Sequence, residues 1–166
     1  MSAPTIHPTA IVESTLIGSG TRIWAFTHIC PGARIGSGCT IGEGVYIGPN
    51  VRIGDRCKIQ NHCLIYEGLT IEDECFIGPA VVTTNDIAPC AIGPWEHRFR
   101  KTLIKHNASI GANSTIRCGI TIGEHSMIGC GSLVIQDIKP YWLAYGSPAH
   151  HIRSIYVPAT SPSILT

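Results

Sequence analysis

The sequence predicts an all-β chain wound as a parallel β-helix of hexapeptide repeats, on three observations. Isoleucine recurs every six residues at Ile11, Ile17, Ile23, Ile29, Ile35, Ile41, Ile47, Ile53, Ile59, Ile65, Ile71 and Ile77. A second series, Ile104, Ile110, Ile116, Ile122, Ile128 and Val134, has the same period but is out of phase with the first, since 27 residues separate Ile77 from Ile104. Glycine follows the repeat isoleucine at Gly18, Gly36, Gly42, Gly48, Gly54, Gly78, Gly111, Gly123 and Gly129.

Six residues turn an α-helix through about 600°, which scatters the isoleucines over several faces and leaves no apolar stripe. In a strand the side chains alternate, so an even spacing keeps every isoleucine on one side, and Ile is a good strand former. The glycines mark corners, where a residue without Cβ is favoured. Three strand-and-corner units would close a triangular coil of about 18 residues with Ile pointing inward. Twelve repeats make four coils before the break and six make two after it. Cys39, Cys57, Cys63 and Cys75 each stand four residues after a repeat isoleucine, where a small apolar residue fills the corner, and are expected to be buried thiols.

Residues 83 to about 103 interrupt the repeat with two prolines and a basic cluster. An insertion of this length in so regular a solenoid points to function. Trp95 and Phe99 offer packing onto a neighbour; Arg98, Arg100, Lys101, Lys105 and His106 offer phosphate contacts. After Val134 the chain leaves the repeat. The expected organisation is one β-helix domain over residues 1–153, with the insertion at about 83–103, and a tail over 154–166 to which no function is attached.

The 166 residues suit one domain with its own core. A net charge of +1 argues against a nucleic-acid or anionic-membrane partner. Only 14% of residues are charged, against roughly 25% in ordinary domains, which points to an oligomer with part of its flank covered. Neither an export signal nor a membrane-length apolar run is present in these residues, so a cytoplasmic setting and no membrane insertion are expected. The eight cysteines lack paired spacing, and no metal is expected.

Coil arithmetic also suggests a site. Glu67 and Asn85 are eighteen residues apart and should stack on one edge, about one strand spacing from each other, where the insertion begins. A carboxylate and an amide there could hold a substrate amine and orient its lone pair. Gln60 should lie beneath Gly78, leaving room for a ligand.

The repeats, the ending Gly146-Ser147-Pro148-Ala149 and the stretch Lys105-His106-Asn107-Ala108-Ser109-Ile110-Gly111-Ala112-Asn113 together resemble the hexapeptide-repeat acyltransferase superfamily. More narrowly, Ile23-Trp24, Lys58-Ile59-Gln60-Asn61, Tyr66-Glu67-Gly68 and Thr84-Asn85-Asp86 are similar to nucleotide-sugar 3-amino N-acetyltransferases. The resemblance implies a left-handed coil, a homotrimer, acetyl-CoA as co-substrate and a UDP- or dTDP-linked amino sugar destined for surface polysaccharide. It places Gln60, Asn61, Tyr66 and Glu67 at the substrate, and Asn85 and Asp86 at the chemistry. Lys105, Gly111, Ala112, Gly129, Gly131, Pro148 and Ala149 fall to the cofactor. Family members commonly show Asn and Arg where this chain has Ser147 and His150, and Pro-Arg where it has Pro89-Cys90.

Amine attack on a thioester depends chiefly on orientation. Asn85 is expected to position the amine, Asp86 to accept its proton or hold the loop, and Glu67 to meet the sugar. Backbone N–H groups around Gly111 and Ala112 could stabilise the oxyanion, a contribution of roughly 3 kcal/mol. The alternative on the same fold is a sugar or amino-acid O-acetyltransferase, in which a histidine is the base, so His28, His62, His97, His106 and His125 come into question. The γ-type carbonic anhydrases share the fold but show two histidines five residues apart, and the positions required here hold Ile120 and Glu67. A non-catalytic scaffold is the remaining alternative.

Overall fold

The chain is represented by a computed structural model that describes residues 2–93 and 98–156. Its strands are short and, in the coils, parallel, forming three sheets that are the faces of a prism. The first face holds β1 (Thr5–Ile6), β3 (Arg22–Ile23), β6 (Thr40–Ile41), β9 (Lys58–Ile59), β12 (Phe76–Ile77), β15 (Ser109–Ile110), β18 (Met127–Ile128), β20 (Trp142–Gly146) and β21 (Ala149–Ser154). The second holds β2 (Ile11–Val12), β4 (His28–Ile29), β7 (Tyr46–Ile47), β10 (Leu64–Ile65), β13 (Val82–Thr83), β16 (Thr115–Ile116) and β19 (Leu133–Val134). The third holds β5 (Arg34–Ile35), β8 (Arg52–Ile53), β11 (Leu69–Ile71), β14 (Thr102–Ile104) and β17 (Thr121–Ile122). No α-helix occurs among the described residues.

Register follows the repeat. Ile23 pairs with Ile41, Ile29 with Ile47 and Ile35 with Ile53, each one coil apart. Across the insertion the pairing jumps to Ile71 with Ile104 and Ile77 with Ile110, then returns to the ordinary step with Ile110 and Ile128. The inserted segment therefore leaves and rejoins the prism without shifting its phase. From Ile23 onward the repeat isoleucines are buried in one continuous core.

The corner residues do more than fill space. Thr21 Oγ1 donates to Gly36 O at 2.7 Å, and Cys39 Sγ donates to Gly54 O and Cys57 Sγ to Glu72 O, both at 3.1 Å. Each ties its corner to a carbonyl of the coil, so the thiol stands in for a hydroxyl. Cys63 repeats the contact on the next edge, reaching Gly78 O at 3.1 Å, and burial pushes its thiol up to about 11. No disulfide joins the eight cysteines, and the four expected at corners are buried.

Three expectations change. Val12, not Ile11, is the inward residue of β2: Val12 pairs with Ile29, while Ile11 pairs with the outward His28 and is 59% exposed. The first coil is one residue shorter there, and a one-residue slip exchanges the faces of a strand. The solenoid also has about eight turns, more than the four and two counted from isoleucines. Weakly patterned segments extend it at both ends: Ile6 pairs with Ile23, Ile138 bridges Ile122, and Ala144 pairs with Ile128 before β21 returns antiparallel. Finally, Thr83 and Thr102 are buried strand residues, so the excursion starts after Thr83 and ends before Thr102.

Candidate active site

The edge between the second and third faces carries a grouping of polar residues. Asn50, Arg52, Glu67, Gly68, Leu69, Thr70 and Lys101 line a cavity of about 420 Å³. Asn50 Nδ2 donates to Glu67 Oε1 at 3.1 Å, which holds the carboxylate at the cavity wall. Gly68 has φ +92°, and a Cβ there would lie 3.1 Å from the Arg100 carbonyl oxygen, so glycine is required where the inserted segment returns. Tyr66 is anchored through its backbone N–H to Thr83 Oγ1 at 3.0 Å, with its ring 5.5 Å from that of Tyr46.

Asn85 and Asp86 open the insertion, just after β13. The Asn85 carbonyl accepts the Arg100 N–H at 2.9 Å, pinning the two ends of the loop together. Asp86 Oδ1 accepts the Ala88 N–H at 2.8 Å and lies 3.5 Å from Arg98 Nε, with its side chain only 9% exposed. That is an Asx turn locked by an ion pair. Arg98 Nη1 also reaches Cys90 Sγ at 2.7 Å. Phe99 forms an antiparallel bridge to Asp86. Trp95 and His97 lie outside the described residues.

Gln60 and Asn61 stand on a different edge, between the first and second faces. They share a cavity of about 270 Å³ with Trp24, Thr40, Gly42, Glu43 and Ile59. Asn61 Oδ1 accepts the Glu43 N–H at 3.1 Å, as Asp55 Oδ1 accepts Ser37 N–H and Asp73 Oδ1 accepts Asp55 N–H, so this amide braces a turn of the neighbouring coil. Gly78 is required by stacking on the next coil, where an added Cβ would meet Ala112 N at 2.7 Å.

Gly111, Ala112, Gly129 and Gly131 continue the same edge. A Cβ on Gly111 would lie 2.5 Å from Cys130 N and one on Gly129 2.7 Å from Tyr145 Cβ, so coil stacking itself demands these glycines. Gly131 differs, because nothing lies within 4 Å of an added Cβ and the surface is open. The Gly111 N–H donates to Ile128 O at 2.8 Å and is unavailable to an oxyanion. The Ala112 N–H meets no acceptor among the described residues.

Lys105 falls on the third edge, between the third and first faces; its backbone N–H donates to Ile122 O at 3.0 Å and its carbonyl accepts Cys75 Sγ at 3.0 Å. His106 and His125 share that edge. His106 Nε2 lies 3.6 Å from Glu74 Oε2, and His125 stacks on Tyr141 at 4.8 Å. Pro148 is exposed at the tip between β20 and β21, whereas Ala149 is 1% exposed and belongs to the core. The expected residues thus divide among three edges and the final hairpin. Asn50 and Arg52 escaped the sequence reading, although Asn50 lies seventeen residues before Glu67 and Arg52 eighteen before Thr70, a spacing that brings each pair together across coils.

A prism of hexapeptide coils with polar cavities on its edges and one inserted loop defines a class, and comparison with known proteins specifies it. Residues 101–136 match the family described as bacterial transferase hexapeptide (six repeats), and residues 25–98 match the GMPPB C-terminal domain. The chain is 48% identical over 144 residues to dTDP-3-amino-3,6-dideoxy-alpha-D-galactopyranose 3-N-acetyltransferase of Aneurinibacillus thermoaerophilus, covering 87% of this chain and 74% of that protein. It therefore belongs to the hexapeptide-repeat acetyltransferases, a family of enzymes.

Among solved structures, a hexapeptide-repeat acetyltransferase of Vibrio cholerae O1 biovar eltor, complexed with acetyl coenzyme A, matches with TM-score 0.56 and 25% identity over 76% of this chain and 72% of that one. GDP-perosamine N-acetyltransferase of Caulobacter crescentus shares the fold, with TM-score 0.63 and 21% identity over 92% of this chain. This chain spans 58% of that protein's length. The coil is left-handed, as in these relatives.

Proposed function

We propose that this protein transfers the acetyl group of acetyl-CoA to the amine of a nucleotide-linked amino sugar, a dTDP- or UDP-3-amino sugar used in surface polysaccharide. The observation that carries the reading is the 48% identity, over most of the chain, to an enzyme named for acetylating a dTDP-3-amino sugar. The amine nitrogen attacks the thioester carbonyl carbon, the C–S bond breaks, and the proton lost by the amine ends on the coenzyme A thiolate or in solvent.

Each residue has a part in this scheme. Glu67, oriented by Asn50, binds sugar hydroxyls, and Arg52 and Lys101 in the same cavity suit the phosphates. Asn85 positions the amine. Asp86, already committed to Ala88 and Arg98, holds the loop in place. The Ala112 N–H is the oxyanion donor, and the open surface at Gly131 takes the pantetheine arm.

The assembly in this reading is a homotrimer. Glu67 and Asn85 stand on one edge of the prism and Ala112 and Gly131 on another, with the second face between them. A neighbouring copy that brought its glycine-bearing edge against the loop edge would unite acceptor and donor. A cytoplasmic setting agrees with cysteines that are not joined in disulfides. Among the described residues no helix is long and apolar enough to cross a membrane.

The experiment is thiol release from acetyl-CoA by the purified protein, offered UDP- and dTDP-linked 3-amino and 4-amino sugars. Turnover with one of them, falling sharply in Asn85→Ala, is the expected result. Silence across the panel while hydroxyl acceptors are acetylated would replace the amine with an oxygen nucleophile and overturn the reading.

A further inference from the structure

Near the N-terminal end of the prism, on the second face, three potential metal ligands converge. His28 Nε2 lies 2.8 Å from Glu13 Oε2 and 3.9 Å from Cys30 Sγ, and the three donor atoms fall within 4.8 Å of one another. These residues lie far in sequence from the loop and from the edges assigned to acetyl transfer, and the proposed function makes no use of them.

The geometry is not that of a nucleophile relay. A Cys–His–carboxylate relay places the thiol on one imidazole nitrogen and the carboxylate on the other, so that the ring carries a proton between them. Here both partners meet the same nitrogen, Nε2. Donors that point at a common centre are a ligand set. Around a tetrahedral zinc, bond lengths of about 2.0–2.3 Å separate neighbouring donors by roughly 3.3–3.6 Å. The observed 2.8 and 3.9 Å lie on either side of that range, within reach of small side-chain rotations.

The donors are also held in place. The backbone N–H groups of Glu13, His28 and Cys30 donate to Ile29 O, Val45 O and Ile47 O at 2.8–2.9 Å, so each ligand stands on a paired coil. The His28 ring packs edge-on against Tyr46 at 5.7 Å, which fixes its plane. Tyr46 Oη lies 3.5 Å from Cys30 Sγ, within hydrogen-bonding distance for sulfur. Cys30 is 6% exposed, while Glu13 and His28 open to solvent, which leaves an entry path and a fourth position for water.

We propose that Glu13, His28 and Cys30 form a binding site for a borderline-soft divalent cation, zinc or cobalt, that staples the first coil to the second. The donor set of carboxylate, imidazole and thiolate favours such an ion over magnesium or calcium. On binding, the Cys30 thiol loses its proton to solvent, sulfur and the Nε2 lone pair bond the metal, and the His28 proton resides on Nδ1. The staple acts where the prism is weakest: β1 and β2 leave Ile6 and Ile11 exposed, and Glu13 is the one ligand drawn from that first coil.

The test is cobalt(II) titration of the metal-free, phosphine-reduced protein, followed by absorbance. One equivalent should produce a thiolate-to-cobalt charge-transfer band that zinc displaces. Cys30→Ser should abolish the band, and the half-exposed variants His28→Ala and Glu13→Gln should weaken binding about tenfold or more. The double variant Cys90→Ser/Cys130→Ser, which removes the exposed thiols, should retain it. Zinc should raise the Tm of the wild type but not of His28→Ala. No band at stoichiometric metal, or an unchanged band in a folded Cys30→Ser or His28→Ala protein, overturns the proposal.

Discussion

Asn50 and Glu67 belong to successive coils, and the 3.1 Å hydrogen bond from the Asn50 amide to the Glu67 carboxylate joins them in the wall of a cavity of about 420 Å³. The bond spans seventeen residues, close to one turn of the solenoid. It fixes the direction of a carboxylate that the proposed function assigns to the sugar.

Removing that bond should therefore impair substrate binding more than folding. Asn50→Ala and Glu67→Gln should each raise KM for the amino sugar roughly tenfold or more, the worth of a hydrogen bond to a charged group, and leave Tm nearly unchanged. Steady-state kinetics beside thermal unfolding would show it; equal KM in the wild type and both variants would remove Glu67 from the site.

Asp86 separates two roles. Asparagine can keep the Asx turn to Ala88 although it loses the ion pair to Arg98, whereas alanine loses both. Asp86→Asn should retain most of the turnover, and Asp86→Ala should lose much of it together with ordering of the loop. If Asp86→Asn instead falls by a hundredfold with the loop intact, the carboxylate acts as a base.

The register of the first coil can be read from stability. Ile11→Ser should alter unfolding free energy by no more than about 0.5 kcal/mol, because its side chain faces solvent. Val12→Ala should cost about 1 kcal/mol or more, since Val12 packs against the core. Denaturant unfolding of the two variants would decide, and the opposite order would put Ile11 inside.

The last hairpin should respond to acid. His151 Nε2 accepts the Lys139 N–H at 3.1 Å, a role open only to the neutral ring. Burial, and then the Lys139 charge, hold its pKa below the ordinary 6.5. The unfolded chain therefore binds a proton more readily than the folded one. Any stability tied to the neutral ring is present above pH 6.5 and is lost as pH falls through the lower folded value. Amide exchange in β20 and β21 should accelerate there, and His151→Gln should flatten that dependence.

Much of this fold was legible because the repeat writes the same physical demand many times over. From Ile23 to Ile128 the repeat isoleucines were identified by spacing alone, as were the four buried corner thiols, whereas Ile120, buried at a corner position, was not. The reading failed where the period changes by one residue, at Ile11 and Val12, and where strands carry no repeat isoleucine, at Thr83, Ile138 and Ala144. Backbone pairing with the adjacent coil holds such segments in place whatever their side chains.

The sequence by itself determined the β-helix, the place of the insertion and the family resemblance, because a strict six-residue period admits one way of burying isoleucine. Only the tertiary structure decided what each polar residue does. It bound Asn61 to a turn and Asp86 to Arg98, required Gly78 and Gly111 for stacking, and carried Lys105 to a different edge from Ala112. Those outcomes depend on which residues of neighbouring coils come within hydrogen-bond or van der Waals distance, and spacing along the chain gives the coil position of a side chain but not the partner it meets.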